Sequence, residues 1–283
     1  INGGMVGSDV VCPMYPTIDS IAEYGRSGNG VRPLIMCEYS HAMGNSNGSL
    51  ADYWDVITTT PGLQGGFIWE WKDHGLLTRL PSGKRGFAYG GQFGDQPNDG
   101  NFVADGLMSA DLQAHPGVQE VMWVYRPVVV SLSDDTLTIT NRRSFTDLSD
   151  LVATWELLVD GQVVVSGALD LDVVPAATSI EIPLPCAVPD ASDAHLTLRW
   201  VQRRATAWAP KGHLVAWDQL TLNAPESTPT PKFGVDLAPS ETCTPNSGGV
   251  VAGGKGPVLQ LFRAPVDNDG FKLLRGPGRW IDV

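Results

Sequence analysis

The sequence is short of charge, and what charge it has is mostly of one sign. Only 18% of its 283 residues are charged, and Asp plus Glu outnumber Lys plus Arg by 31 to 19, for a formal net charge of −12 and a pI near 4.7. A field of that sign repels phosphate backbones and anionic lipid, so it gives no electrostatic basis for binding nucleic acid or a membrane surface; a neutral substrate such as a sugar fits better. No apolar run approaches the roughly 20 residues needed to cross a bilayer, and the start lacks the basic-then-apolar order of a signal peptide. Cysteine is scarce. Cys12, Cys37, Cys186 and Cys243 are far apart and form no CxxC pair, which argues against a zinc site or a dense disulfide framework. Reduced thiols in a cytoplasmic protein are expected, with Cys12 and Cys37 buried and inert inside apolar runs. The chain also lacks an initiating Met: Ile1 opens almost directly onto a strand-like stretch, so the true N-terminus is expected upstream.

What is present is an ordinary globular composition, 42% hydrophobic, long enough for one large domain or two smaller ones. From Ile1 to about Pro127 short apolar runs alternate with helix-like stretches, the rhythm of strand, helix, strand. The pattern predicts strands at Asp9–Met14, Pro33–Glu38 and Gln64–Trp71. It predicts helices at Ile18–Tyr24, at Ser49–Thr60 with Leu50, Tyr53, Trp54 and Ile57 at helical spacing, and at Pro116–Tyr125. Pro61-Gly62 should end the second helix. From Val128 to about Leu222 the period changes to two. Leu137–Thr140, Val152–Val159, Val163–Ser166, Ser179–Ile182 and His195–Gln202 read as short antiparallel strands of a β-sandwich, with Asp160-Gly161 as a hairpin turn. Residues 223–231 carry three prolines and read as a linker. Residues 232–283 are too few and too Gly-rich to form a whole domain.

The informative stretch is Pro33-Leu-Ile-Met-Cys-Glu38-Tyr-Ser-His41-Ala-Met-Gly-Asn45-Ser. An apolar strand ends in a carboxylate, with polar residues and Gly44 just behind it, which aims Glu38 out of the strand's C-terminal end. That is the face on which α/β barrels build their active sites. A second carboxylate, Glu70, has a similar setting between Trp69 and Trp71. Two carboxylates at strand ends suggest glycoside hydrolysis, one attacking the anomeric carbon and the other protonating the leaving oxygen, and spacing alone would pair Glu38 with Glu70. An arbitrary Glu at a strand end more often holds a salt bridge.

Five strings, in order, go further: CPMYP (12–16), RPLIMCEYSHAMGNS (32–46), LQGGFIWEWKD (63–73), YGGQFGDQPND (89–99) and LFRAPVDNDG (261–270). Together they resemble the large β-galactosidases of glycoside hydrolase family 2. The resemblance implies that residues 1–127 are the C-terminal part, the last three strands, of a (β/α)8 TIM barrel, roughly half of the about 250 residues a barrel takes. It implies that 128–222 is an immunoglobulin-like β-sandwich, and that 232–283 begins a large β-domain.

The implied activity is retaining hydrolysis of terminal, lactose-like β-D-galactosides through a covalent intermediate. By the resemblance Glu38 is the nucleophile, Tyr15 the hydroxyl that bonds and tunes it, His41 a contact to the galactose hydroxyls and Trp69 an indole platform under the sugar ring. Trp71 is expected in the core. Glu70 falls where the family carries an acid outside the catalytic pair, so its expected role is structural. Phe102, through its carbonyl, and Asp105 match a sodium site, although the family's residue at the second position is Asn. The family's magnesium ligands would lie outside this chain, as would the acid/base: it belongs to an Asn-Glu pair, and no such dipeptide occurs here. Residues 263–270 resemble a loop that moves near the active site. The parent is expected to be a homo-oligomer and the isolated chain at most feebly active. The other readings are a different family 2 specificity, β-glucuronidase or β-mannosidase, and a non-catalytic fragment.

Overall fold

A computed structural model of the chain describes residues 7–27, 32–191 and 193–223, together with the backbone of a short strand pair at Val250–Val251 and Gly254–Lys255. Nearly all of the expected linker and of the segment after it, including Cys243 and residues 263–270, lies outside the described residues. The chain divides into two compact units between Tyr125 and Arg126.

In the first unit, α1 (Ile18–Arg26) starts at Thr17, whose hydroxyl accepts from the backbone N–H of Ser20 at 3.2 Å, and it buries Ile21. β1 (Leu34–His41) is followed by α2 (Leu50–Thr59), which stops where Thr60 takes the extended conformation that Pro61 imposes on the residue before it. Gly62, at φ +90°, then turns the chain into β2 (Leu63–Trp69). β1 and β2 pair in parallel, as a helical crossover requires. A small hairpin of β3 (Leu76–Arg79) and β4 (Arg85–Ala88) follows, then α3 (Gly117–Val124), opened by Pro116. Val11, Ile21, Leu34, Met36, Tyr39, Leu50, Ile57, Leu63 and Val124 form one core.

The strand expected at Asp9–Met14 is not a continuous strand. It lies along β1 as two parallel bridges, Val11 to Leu34 and Met14 to Glu38. Its backbone bonds run from Val11 N to Pro33 O, Ile35 N to Val11 O, Cys37 N to Pro13 O and Tyr15 N to Glu38 O. At Pro13 the donor that a regular ladder would turn back toward β1 does not exist. Beyond β2 the chain pairs again: Glu70 N donates to Asp105 O, Leu107 N to Glu70 O, Met108 N to Trp71 O and Asp73 N to Met108 O. Gly106 makes this approach possible, since a Cβ there would lie 2.4 Å from the backbone of both Lys72 and Asp73.

The second unit is all β. β5 (Val128–Ser133), β6 (Thr136–Asn141) and β9 (Ser179–Pro183) form a three-stranded antiparallel sheet in the order β5-β6-β9. β7 (Leu151–Val159), β8 (Gln162–Leu169), β10 (Ala194–Gln202) and β11 (Leu214–Asn223) form a four-stranded one, β11-β10-β7-β8. Their inner faces share a core that includes Val128, Leu137 and Ile139 from one sheet and Trp155, Leu196, Leu198 and Trp200 from the other. Asp160 and Gly161, at φ +48° and +75°, make the β7–β8 turn; two positive φ values are what a tight hairpin's twist demands. Asp218 ties the sheets together, accepting from Arg126 Nη2 at 2.8 Å through one oxygen and from Val130 N at 2.9 Å through the other.

Both Arg126 and Asp218 are buried, so Asp218→Ala removes the carboxylate that pairs with Arg126 and accepts from Val130 N, and should cost about 3–5 kcal/mol, measured as the denaturant midpoint of the second unit's transition. Gly106→Ala should destabilise the first unit by about 1–3 kcal/mol through overpacking. Gly48→Ala, where an added Cβ meets nothing within 4 Å, is the matched control and should leave the same midpoint unmoved.

Candidate functional site

Glu38 sits inside β1, which runs on to His41. What turns it out is a break in register. Met36 faces Gly66 and Ser40 faces Ile68, so β1 spends two more residues than β2 on the same span. This is a bulge, the device by which a strand re-aims a side chain. Its effect shows in burial: Met36 and Tyr39, three apart, are both buried, which strict alternation forbids, and Glu38 between them is half-exposed. Gly66 lets Met36 and Tyr39 close in, since a Cβ there would lie 2.9 and 2.8 Å from their side chains. Behind the bulge the Tyr39 hydroxyl meets that of Tyr125 at 2.5 Å and accepts from Trp54 Nε1 at 3.1 Å.

Tyr15 reaches Glu38 from the other side. Its backbone is at φ +46°, a strained value for a non-glycine residue, and its N–H donates to the Glu38 carbonyl at 2.7 Å. Burial, then its side-chain hydrogen bond to Glu38, then the charges of Glu38 and Asp105 push the phenol's pKa well above the usual tyrosine range. The Tyr15 phenol is therefore neutral beside the carboxylate at any working pH.

A second cluster gathers on Asp105, which is 2% exposed. Trp69 Nε1 donates to Asp105 Oδ2 at 3.2 Å, and His41 Nε2 lies 3.5 Å from the same oxygen. The indole is anchored by its N–H edge while the residue stays 38% exposed. Phe102 stacks on His41 with ring centroids 5.0 Å apart and planes within 11°, and Tyr15 is 6.5 Å from His41, centroid to centroid. Tyr15, His41, Trp69, Phe102 and Asp105 are thus linked by contacts, and Glu38 joins them through Tyr15.

Glu70 joins the Asp105 side. The Trp69–Glu70 peptide is cis. His74 Nε2 lies 2.7 Å from Glu70 Oε1. Burial first, then the adjacent Asp105 carboxyl, raise the Glu70 pKa, and His74 partly offsets this. Its partners here are His74 and Asp105, not Glu38. Trp71, expected in the core, is 65% exposed: it lies past the end of β2, where the apolar run continues but no element covers it. Cys12 and Cys37, expected buried, are half-buried free thiols; burial, followed by the neighbouring Cys12, raises the Cys37 pKa. His74 and Asp73 were not singled out by the sequence. Asp73 accepts from Gly106 N at 2.8 Å and so helps fix Asp105; its only signal was its place at the end of LQGGFIWEWKD.

Asp105 Oδ1 is buried with no hydrogen-bond donor, beside a carboxyl whose proton affinity is raised. A buried carboxylate oxygen without a donor calls for a cation or a proton. A carboxylate oxygen suits a hard cation, so Asp105 Oδ1 fits one, and the backbone of Phe102, whose ring stacks on His41, is the second ligand that the resemblance implies. Among the described residues no group of three or more His, Cys, Asp or Glu forms a metal cluster, and no helix is long and apolar enough to cross a membrane. A cavity of about 700 Å³ lined by Met43, Asn47, Asp73, Tyr89 and His115 includes neither Glu38 nor Tyr15.

Residues 5–130 match the model of the glycosyl hydrolases family 2 TIM barrel domain, and residues 137–223 that of β-galactosidase domain 4. A β-galactosidase of Arthrobacter sp. (strain B7) is 38% identical over 274 residues, covering 89% of this chain and 27% of that protein. One of Vibrio vulnificus (strain YJ016) is 37% identical over 252 residues, covering 83% and 24%. The chain thus spans about a quarter of the length of these relatives. Among solved structures a Bacteroides uniformis β-glucuronidase overlaps with a TM-score of only 0.29 at 14% identity, covering 76% of this chain and 26% of that one. With two of the family's domain models matched in sequence order and these relatives aligned over most of its length, the chain belongs to glycosyl hydrolase family 2 and is similar to its β-galactosidases.

Proposed function

We propose that the protein this chain belongs to is a retaining glycoside hydrolase acting on terminal β-D-galactosides of the lactose type, with Glu38 as nucleophile. The observation that carries the reading is the pair formed by Glu38, turned out of β1 by the bulge, and Tyr15, whose N–H bonds the Glu38 carbonyl at 2.7 Å and whose neutral phenol lies beside it. In the reaction the Glu38 carboxylate attacks the anomeric carbon and the glycosidic C–O bond breaks; water later displaces Glu38, so configuration is retained. Tyr15, held protonated, orients the carboxylate. The exposed indole of Trp69 offers a flat apolar surface to sugar C–H bonds, and His41 binds galactose hydroxyls.

Protonation of the leaving oxygen falls to a carboxyl outside this chain, because Glu70 is engaged with His74 and Asp105. A monovalent cation, held by Asp105 and the Phe102 carbonyl, would supply positive charge toward a sugar hydroxyl. On this reading residues 1–127 are the last strands of the barrel, Val11–Tyr15, β1 and β2 being parallel neighbours, and the sandwich is the family's immunoglobulin-like domain.

In the full-length enzyme Glu38→Gln should lower kcat by on the order of 10³-fold or more while leaving substrate binding, and a 2-deoxy-2-fluorogalactoside should label Glu38 and nothing else, read by peptide mass spectrometry. Label on another side chain removes Glu38 from the role. The purified 283-residue chain should hydrolyse aryl galactosides at least about 10²-fold more slowly than the full-length enzyme, the smaller end of what a general acid supplies; comparable rates would show that the acid lies within it.

A further inference from the structure

The resemblance treats position 105 as a cation ligand. The geometry points to a second role, and we propose that Asp105 is a positioning residue that holds the indole of Trp69 and the imidazole of His41 in one frame, independently of any bound cation. The substrate consequence rests on the galactosidase reading; the positioning itself does not.

An indole N–H can only donate, so the orientation of Trp69 about its long axis depends on finding an acceptor. Asp105 Oδ2 provides it at 3.2 Å, and His41 Nε2 converges on that same oxygen at 3.5 Å. Trp69 ends β2 and His41 ends β1, and the two are partners in the parallel register. One oxygen therefore spans the ends of two neighbouring strands. The frame is stiff because Asp105 cannot move freely: its carbonyl accepts from Glu70 N at 3.2 Å, and the next residue, Gly106, is held by Asp73 at 2.8 Å. Phe102, three residues earlier, stacks on the face of the same imidazole. Oδ1 takes no part in this frame and has no donor, so a cation on Oδ1 and the two side chains on Oδ2 do not compete. An Asn at position 105 retains one acceptor and could still receive the indole; an Ala could not.

Indole ¹H–¹⁵N resonances of this chain, with Trp69 assigned through Trp69→Phe, read the hydrogen bond directly. In the wild type the Trp69 Nε1–H should lie downfield and exchange with solvent at least about tenfold more slowly than that of Trp71, whose side chain is exposed. Asp105→Ala should move the resonance upfield and abolish the protection, and Asp105→Asn should restore most of both. Replacing sodium chloride by choline chloride should change neither; a shift as large as that of Asp105→Ala on sodium removal would assign the effect to the cation and overturn the proposal. Equal exchange of Trp69 and Trp71 in the wild type would also overturn it, a measurement that stands even if Asp105→Ala does not fold. In the full-length enzyme Asp105→Ala should raise KM for an aryl galactoside about tenfold or more with a smaller change in kcat, as expected for a lost charge-assisted hydrogen bond, while fluorogalactoside still labels Glu38. Loss of that label in the wild type would sink the galactosidase reading and leave the indole measurement to judge the positioning alone.

Discussion

The site depends on one constraint, the unequal number of residues that β1 and β2 spend between two shared register points. From Met36 to Ser40 on one strand and from Gly66 to Ile68 on the other, the backbones cover the same distance with different numbers of residues. The surplus has to leave the plane of the sheet. Because Met36 and Tyr39 are both claimed by the core, the outward turn falls on the residue between them that can stand in water, Glu38. Gly66 contributes from the opposite strand by having no side chain where those two pack.

Electrostatics then sort the acids around this bulge. Glu38 has a neutral phenol for company, Asp105 has an indole N–H and an imidazole, and Glu70 has His74 on one side and Asp105 on the other. Carboxyl groups of similar intrinsic acidity acquire different duties from their neighbours alone. The Glu70 carboxyl, raised by burial and by Asp105, is the one least suited to act as a permanently charged nucleophile. The second unit follows a different logic. Its two sheets share an apolar core, and the one buried ion pair described in it, Arg126 with Asp218, sits where β11 meets the start of β5.

Much of this was legible in the residues. Leu50, Tyr53, Trp54 and Ile57 announce α2 by spacing, and Pro61-Gly62 announces its end, because helical periodicity and proline's missing donor are local facts. Asp160-Gly161 reads as a turn for the same reason, since few residue pairs tolerate two positive φ values. Trp71 was misread as core: an apolar run says that a side chain would prefer burial, not that anything is present to cover it. The stretch at Asp9–Met14 was read as a full strand because its apolar residues fit, while Pro13 removes a donor that composition does not weigh.

The sequence by itself determined the elements, the turns, the acidic character and the order of five motifs that carry the family likeness, all of which depend on residues near one another along the chain. Spacing alone coupled Glu38 to Glu70, and the family likeness had already set Glu70 apart and given Tyr15 to Glu38. What only the tertiary structure decided is the contacts themselves: Tyr15 against Glu38, and Glu70 between His74 and Asp105. The reason is geometric: strand pairing brings together residues more than twenty positions apart, and the register of that pairing, including a bulge, is set by how the whole core packs and not by the residues at the site.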